Sequence, residues 1–193
     1  MAYVRYKQEE ELRYWNQFRT GDENAYACLY QSYVHILYQY CSQFTIDKPL
    51  IKDCIHDLFV ELWKNRNTIG DTTSVRFYLM ASIKRKLVRH LNALQKHTSN
   101  EDIPVEYWHI HTASHEHNLI AEEEFDTTNR HLNKAINHLP RRQREAIFLK
   151  FYMNMNNQEI ADLMKINIQS VYNLVFGALS NLKKNMTLER LTL

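Results

Sequence analysis

Three carboxylates, Asp53, Asp57 and Glu61, recur at four-residue spacing within DCIHDLFVELWKN, which sets them on one face of a helix. Like charges at that spacing cost roughly 0.3 kcal/mol per pair in an isolated helix. Such a row is either a solvated face or a surface aimed at a basic partner. A second cluster has the opposite sign. From Ser74 to His97, Arg76, Lys84, Arg85, Lys86, Arg89 and Lys96 occur without a single acid, and the aromatic pair Phe77 and Tyr78 stands near the start. Cations track a phosphate backbone while aromatic rings stack on unpaired bases, so this composition suits single-stranded nucleic acid. A third cluster, Arg141, Arg142 and Arg144 followed by Lys150, offers further phosphate contacts. There is no nucleophile elbow, glycine-rich phosphate loop, HExxH or paired-carboxylate motif. The expected chemistry is binding, with no enzymatic activity and no cofactor.

The segment NNQEIADLMKINIQSVYNLVFGALSNLKK, residues 156–184, has the pattern of two short helices joined by a tight turn. Asn157 is the expected cap of the first helix, with Ile160, Ala161 and Met164 facing inward. Lys165, Ile166 and Asn167 form the turn, and Val171, Val175, Ala178 and Leu182 are the buried face of the second helix. Gln169, Ser170, Tyr172, Asn173, Phe176 and Gly177 then point outward, at the end that enters a major groove in helix-turn-helix proteins. No Arg or Lys lies in this second helix before Lys183. Gln and Asn pair with adenine, and aromatic rings pack on thymine methyls, so a neutral helix can still read bases. The grip on phosphates then has to come from other helices. A helical hairpin used only for packing is the plain alternative.

These groups need rigid elements to hold them. Only 3 Gly and 3 Pro punctuate 193 residues, which favours long helices over strands. Apolar positions recur at helical spacing from Val4 to Phe18, and again from Asp22, as N-cap, to Gln43 (Ala25, Leu29, Tyr33, Ile36, Leu37, Tyr40). They return at Ile51, Ile55, Leu58 and Leu62, ending near Asn65. A long helix capped by Ser74 presents Val75, Leu79, Ile83, Leu87, Leu91 and Leu94 inward. Further helices are expected from Thr128 to Leu139, from Pro140 to about Met153, and from Asn157 onward. The fold class is all-α, with two small helical domains at 1–97 and 127–193 joined by a flexible acidic linker at 98–126. Charge follows the same division. Residues 1–97 carry 14 Lys/Arg against 10 Asp/Glu, residues 98–126 carry 8 acids and no base, and residues 127–193 carry 10 bases against 4 acids. Two basic bodies flanking an acidic strap suit a polyanion binder.

Two features are weighed and set aside. The linker histidines His109, His111, His115 and His117 have spacing that can ligate zinc or nickel, but histidine in a polar linker needs no such role, and no metal site is assigned. Cys28, Cys41 and Cys54 lie far apart in helical patterns and read as reduced packing residues. No apolar run approaches the roughly 20 residues of a membrane span, so a soluble, cytoplasmic protein is expected.

The stretch LPRRQREAIFLKFYMNMNNQEIADLMKINIQSVYNLVFGALSNLKK, residues 139–184, resembles region 4 of the extracytoplasmic-function (ECF) sigma factors, which are sigma-70-like. DCIHDLFVELW resembles region 2.2, and SVRFYLMASIKRKLVRHLN resembles regions 2.3 and 2.4. The resemblance implies binding to core RNA polymerase through Asp53, His56, Asp57, Phe59 and Glu61. His56 stands where Gln is common and Asp57 where Glu is common. It implies capture of the melted −10 strand by the loop Arg66–Thr73, with Asn67, Thr68 and Asp71, and by Arg76, Phe77, Tyr78, Lys84, Arg85 and Arg89. Arg85 and Arg89 replace a common Asn and Asp. It implies reading of duplex −35 DNA by Tyr172, Asn173, Phe176 and Gly177, the last often Arg in the family. Arg141, Arg142, Arg144, Gln169 and Ser170 complete that set on chemical grounds. An anti-sigma factor is a further implied partner. The rival readings are a helix-turn-helix regulator that binds duplex DNA without polymerase, and a metal-sensing adaptor built on the histidines.

Overall fold

The computed structural model describes residues 2–98 and 132–190. It divides into two compact units, Met1–His111 and Thr112–Leu193, and every regular element among the described residues is helical. The acidic segment 98–126 and its four histidines lie outside the described residues, Thr98 excepted.

The first unit contains α1 (Ala2–Arg19), α2 (Glu23–Cys41), α3 (Lys48–Lys64) and α4 (Val75–Thr98). Each start has a local cause. Gly21, at φ +97°, turns the chain after α1, a conformation that L side chains rarely adopt. Asp22 then accepts from the amides of Asn24 (2.8 Å) and Ala25 (3.1 Å) to cap α2. Asp47 caps α3 through the Leu50 amide at 3.0 Å, and Pro49 sits in the first turn, where its missing N–H costs nothing. Ser74 accepts from the Phe77 amide at 3.2 Å and opens α4. α2 packs on α1, α3 and α4. Between them lie Trp15, Phe18, Leu29, Tyr33, Leu37, Tyr40, Ile51, Ile55, Leu58, Leu79, Ile83 and Leu87, all buried. Ile36 and Leu91, expected inside, are half-buried. The cysteines are free; burial pushes the Cys41 and Cys54 thiols above their ordinary range, which keeps them unreactive packing groups.

The second unit contains α5 (residues 132–137), α6 (Arg141–Ile147), a π turn (Phe148–Tyr152), α7 (Asn157–Met164) and α8 (Ile168–Arg190). Ala135, Leu139, Ile147, Ala178 and Leu182 form a buried cluster, with Ile136 and Val175 packed against it. The segment expected as a single helix from Pro140 to Met153 changes its winding at Phe148, where the Met153 amide bonds the Phe148 carbonyl at 3.0 Å. The wider turn keeps Leu149 buried and leaves Phe151 and Tyr152 exposed. The cap of α7 also differs from expectation. Asn156, one residue before Asn157, accepts from the Glu159 amide at 2.9 Å, while Glu159 accepts from the Asn156 amide at 2.9 Å. This reciprocal capping box needs the acid three residues after the cap, which only Asn156 has. Asn157 accepts instead from Lys150 Nζ at 2.7 Å. Lys165, at φ +54°, ends α7 in the left-handed conformation and turns the chain into α8.

Candidate nucleic-acid and polymerase interface

On α3 the buried stripe Ile51, Ile55, Leu58 and Leu62 turns the acidic row outward. Asp53, His56 and Asp57 are exposed, as the spacing requires. Phe59 is a correction. It is 2% exposed, with its ring centroid 4.8 Å from that of Tyr30 and 6.1 Å from that of Tyr26, and its carbonyl accepts from the Tyr26 hydroxyl at 3.0 Å. A ring so enclosed is core and cannot be offered to a partner. Glu61 is exposed but forms an ion pair with Lys86 of α4. The available carboxylates of the row are therefore Asp53 and Asp57.

The α3–α4 loop places Asn67, Thr68 and Asp71 on the surface. Its entry winds as a further turn of α3, with the Thr68 and Ile69 amides on the Asn65 carbonyl at 2.9 and 3.0 Å. Its exit is a small turn in which Thr72 Oγ1 donates to the Ser74 carbonyl at 3.1 Å. Several expected strand contacts have structural duties instead. Arg66 lies over the Trp63 ring at 4.5 Å and donates to the Trp63 carbonyl at 2.8 Å. Arg76 forms a two-toothed pair with Glu11 of α1, Nε to Oε2 at 2.9 Å and Nη2 to Oε1 at 3.2 Å, with side chains 15% and 13% exposed. Burial alone would lower the Arg76 pKa; the Glu11 bond and charge outweigh it and hold the guanidinium above its ordinary value. Tyr78 packs against Trp15, centroids 4.9 Å apart. Arg76 is thus an internal countercharge and Tyr78 a packing residue. Asp71 is held by Arg19 of α1, a partner 52 residues away that no spacing in the sequence points to. Phe77 is half-buried, and Lys84 is half-buried with its ammonium 5.9 Å from the Phe44 ring. Arg85 and Arg89, four residues apart, are exposed on one face of α4.

In the second unit, residues 168–182 of α8 contain no charged side chain. The exposed face carries Tyr172 and Phe176, at 55% and 74%, with Gln169 and Asn173 beside them. Gln169 donates to Asn173 at 3.3 Å, and Ser170 is half-buried, with its amide on Asn167 Oδ1 at 2.7 Å as the first-turn cap of α8. Arg142 is exposed and lines a shallow depression with Ile166, Ser170, Asn173 and Leu174, so one cation does stand beside the reading face. Arg141 is half-buried. Arg144 is a correction. Its Nη2 donates to the carbonyls of Asn137 (2.7 Å) and Leu139 (3.0 Å), closing the end of α5, and burial lowers its pKa. Gly177 has a structural partner as well: Gln143 of α6 crosses there to bond Asn181 at 2.9 Å, and a Cβ at 177 would meet Gln143 Nε2 at 3.0 Å. Nothing in the residue pattern foretold that crossing.

A four-helix unit, with exposed acids on α3 and exposed cations on α4, followed by a helix-turn-helix unit, defines a two-part all-helical architecture. Residues 29–97 match the family model for sigma-70 region 2, and residues 130–182 match that for sigma-70, region 4. The two matches together span more than half of the chain, in that order, and the chain belongs to the sigma-70 family. No curated protein sequence matches it. Among solved structures it is similar to CnrH, in complex with the cytosolic domain of CnrY, with TM-score 0.57, 15% identity, and coverage of 92% of this chain and 97% of that one. It is also similar to the sigma factor RpoE of Bartonella quintana, in complex with the anti-sigma factor NepR, with TM-score 0.58, 13% identity, and coverage of 83% and 96%. At those identities the likeness is one of fold. No described helix is long and apolar enough to cross a membrane.

Proposed function

We propose that this chain is a cytoplasmic initiation factor that binds core RNA polymerase and directs it to promoters without catalysing a reaction itself. Asp53, Asp57 and His56 dock a basic surface of the polymerase. Asn67 and Thr68 on the α3–α4 loop take up a base of the melted −10 strand, while Arg85, Arg89 and Lys84 hold its backbone. Gln169, Tyr172, Asn173 and Phe176 read duplex −35 DNA, with Arg142 on an adjacent phosphate. Residues 1–97 and 127–193 form the region 2 and region 4 domains, and residues 98–126 link them. The observation that carries this reading is the occurrence, in order, of both sigma-70 regions on one chain with the α3 acids exposed.

An anti-sigma factor is proposed as the inhibitory partner, on the likeness to sigma factors solved with such proteins. The deciding experiment supplies the purified chain and core polymerase with a promoter library. Initiation from specific start sites with this chain as the sole specificity factor is expected. Binding to duplex DNA with no effect on polymerase would make it an ordinary helix-turn-helix regulator.

A further inference from the structure

Glu11, Trp15 and Arg19 stand four residues apart on α1 and share one face. Each meets the segment that carries the proposed −10 contacts. Glu11 holds Arg76 in the first turn of α4, and the Trp15 ring lies against Tyr78 two residues further on. Arg19 reaches the middle of the α3–α4 loop, where Nε donates to the Ile69 carbonyl at 2.7 Å and Nη1 binds the Asp71 carboxylate. The corner after α1 also touches the loop's entry, since a Cβ on Gly21 would stand 3.8 Å from Arg66 Nε. The loop's own hydrogen bonds wind its two ends, through Asn65 and through Thr72 and Ser74. Its tip, Gly70, has nothing within 4 Å of where a Cβ would point. In the middle, the Ile69 carbonyl and the Asp71 carboxylate are held from α1.

We infer that α1 is a brace for the strand-capturing loop, and that Arg19 is a positioning residue for base selection at −10. The inference rests on the reading of that loop given above. Telling four bases apart requires donors and acceptors that are fixed before the base arrives. A loop that had to be ordered anew by each base would lose part of every correct contact to that ordering. Arg19 suits the task because its planar fork grips a backbone carbonyl and a side-chain carboxylate at once, which a lysine ammonium does not reproduce. The grip leaves Asn67 and Thr68 exposed and partly neutralises Asp71, the one acid between residues 66 and 98 of the sequence. The brace lies outside the matched region 2 residues, which begin at 29.

The test uses the full chain with core polymerase and four fluorescent single-stranded −10 oligonucleotides that differ only at the captured base. Arg19→Ala is expected to compress the ratio of best to worst Kd by about tenfold. Affinity for a −35 duplex should stay within about twofold, since no phosphate or base contact there is touched. Arg19→Lys should recover part of the ratio. In the free chain, amide exchange from Ile69 to Thr73 should quicken by about tenfold in Arg19→Ala. An unchanged ratio together with unchanged exchange overturns the brace. If Asn67→Ala and Thr68→Ala also leave the ratio unchanged, the −10 reading of the loop has failed, and the exchange rates alone then decide the brace. Should Arg19→Ala not fold, Asp71→Asn weakens one arm of the grip and is judged by the same two measurements.

Discussion

Gly177 shows how one position couples packing to recognition. A side chain there pushes on the end of Gln143, a flexible neighbour that can move away. Its exposed bond to Asn181 is worth about 1 kcal/mol. Against this, Gly→Ala in a helix gains about 1 kcal/mol. Gly177→Ala is therefore expected to leave stability within about 0.5 kcal/mol by thermal unfolding. Gly177→Arg would add a cation to a reading face that has none, and should steepen the salt dependence of −35 binding by about one unit of slope. A slope unchanged by the arginine would mean that this face does not meet DNA. The neighbouring rings make a second expectation. Tyr172 and Phe176 are exposed apolar surface suited to thymine methyls, so replacing −35 thymines by deoxyuridine should cost about 1 kcal/mol per contacted base. Asn173→Ala should weaken different promoters unequally, whereas Arg142→Ala should weaken all alike; the reverse pattern would exchange the roles of reader and grip.

At the scale of elements, α3 and α4 separate what periodicity reveals from what it hides. The inward stripe of α3 predicts the exposed Asp53 and Asp57 because burial of one helical face dictates the other. Periodicity also put the cationic Arg85 and Arg89 outside. It could not reveal partners far apart in sequence, such as Glu61 with Lys86, or Arg76 with Glu11 across 65 residues. Those pairings depend on which helices lie side by side, and they turned two expected ligands into internal contacts. Arg144 was misassigned for the same reason, its carbonyl partners belonging to the close of the preceding helix. The consequences are measurable. Asp57→Lys should abolish polymerase binding with the fold retained, and binding equal to the parent would show that the row is merely solvated. The Glu61–Lys86 pair is exposed on the Glu61 side and worth at most about 1 kcal/mol, so Glu61→Lys should change unfolding little. Glu11→Leu should be far more harmful, about 3 kcal/mol, because it removes the carboxylate that balances the Arg76 guanidinium in a mostly buried site. Adding Arg76→Met should restore most of that loss. A double variant as unstable as Glu11→Leu would locate the defect in packing instead of charge.

For the molecule as a whole, recognition depends on how few cations the second unit offers. Arg144 closes a helix, and α8 is uncharged from 168 to 182, which leaves Lys134, Arg142, Lys165, Lys183 and Lys184 as the exposed Lys and Arg among its described residues. Five phosphate contacts would give a salt slope no steeper than about −5 for duplex −35 DNA. Binding by that unit alone is then weak at physiological salt, and it carries the proposed −35 reader. Docking through α3 on a polymerase already engaged with the promoter would change this arithmetic. The second unit then searches for its site intramolecularly, at an effective concentration of roughly millimolar for a short tether. The same shallow slope would remain, but occupancy at the −35 element would rise by about a hundredfold or more. The free chain titrated with −35 duplex across a salt series, beside the holoenzyme on the same promoter with and without its −35 element, separates the terms. A free chain that binds duplex tightly with a slope of about −9 would contradict this account, since it would require twice the cations that α8 and its neighbours expose.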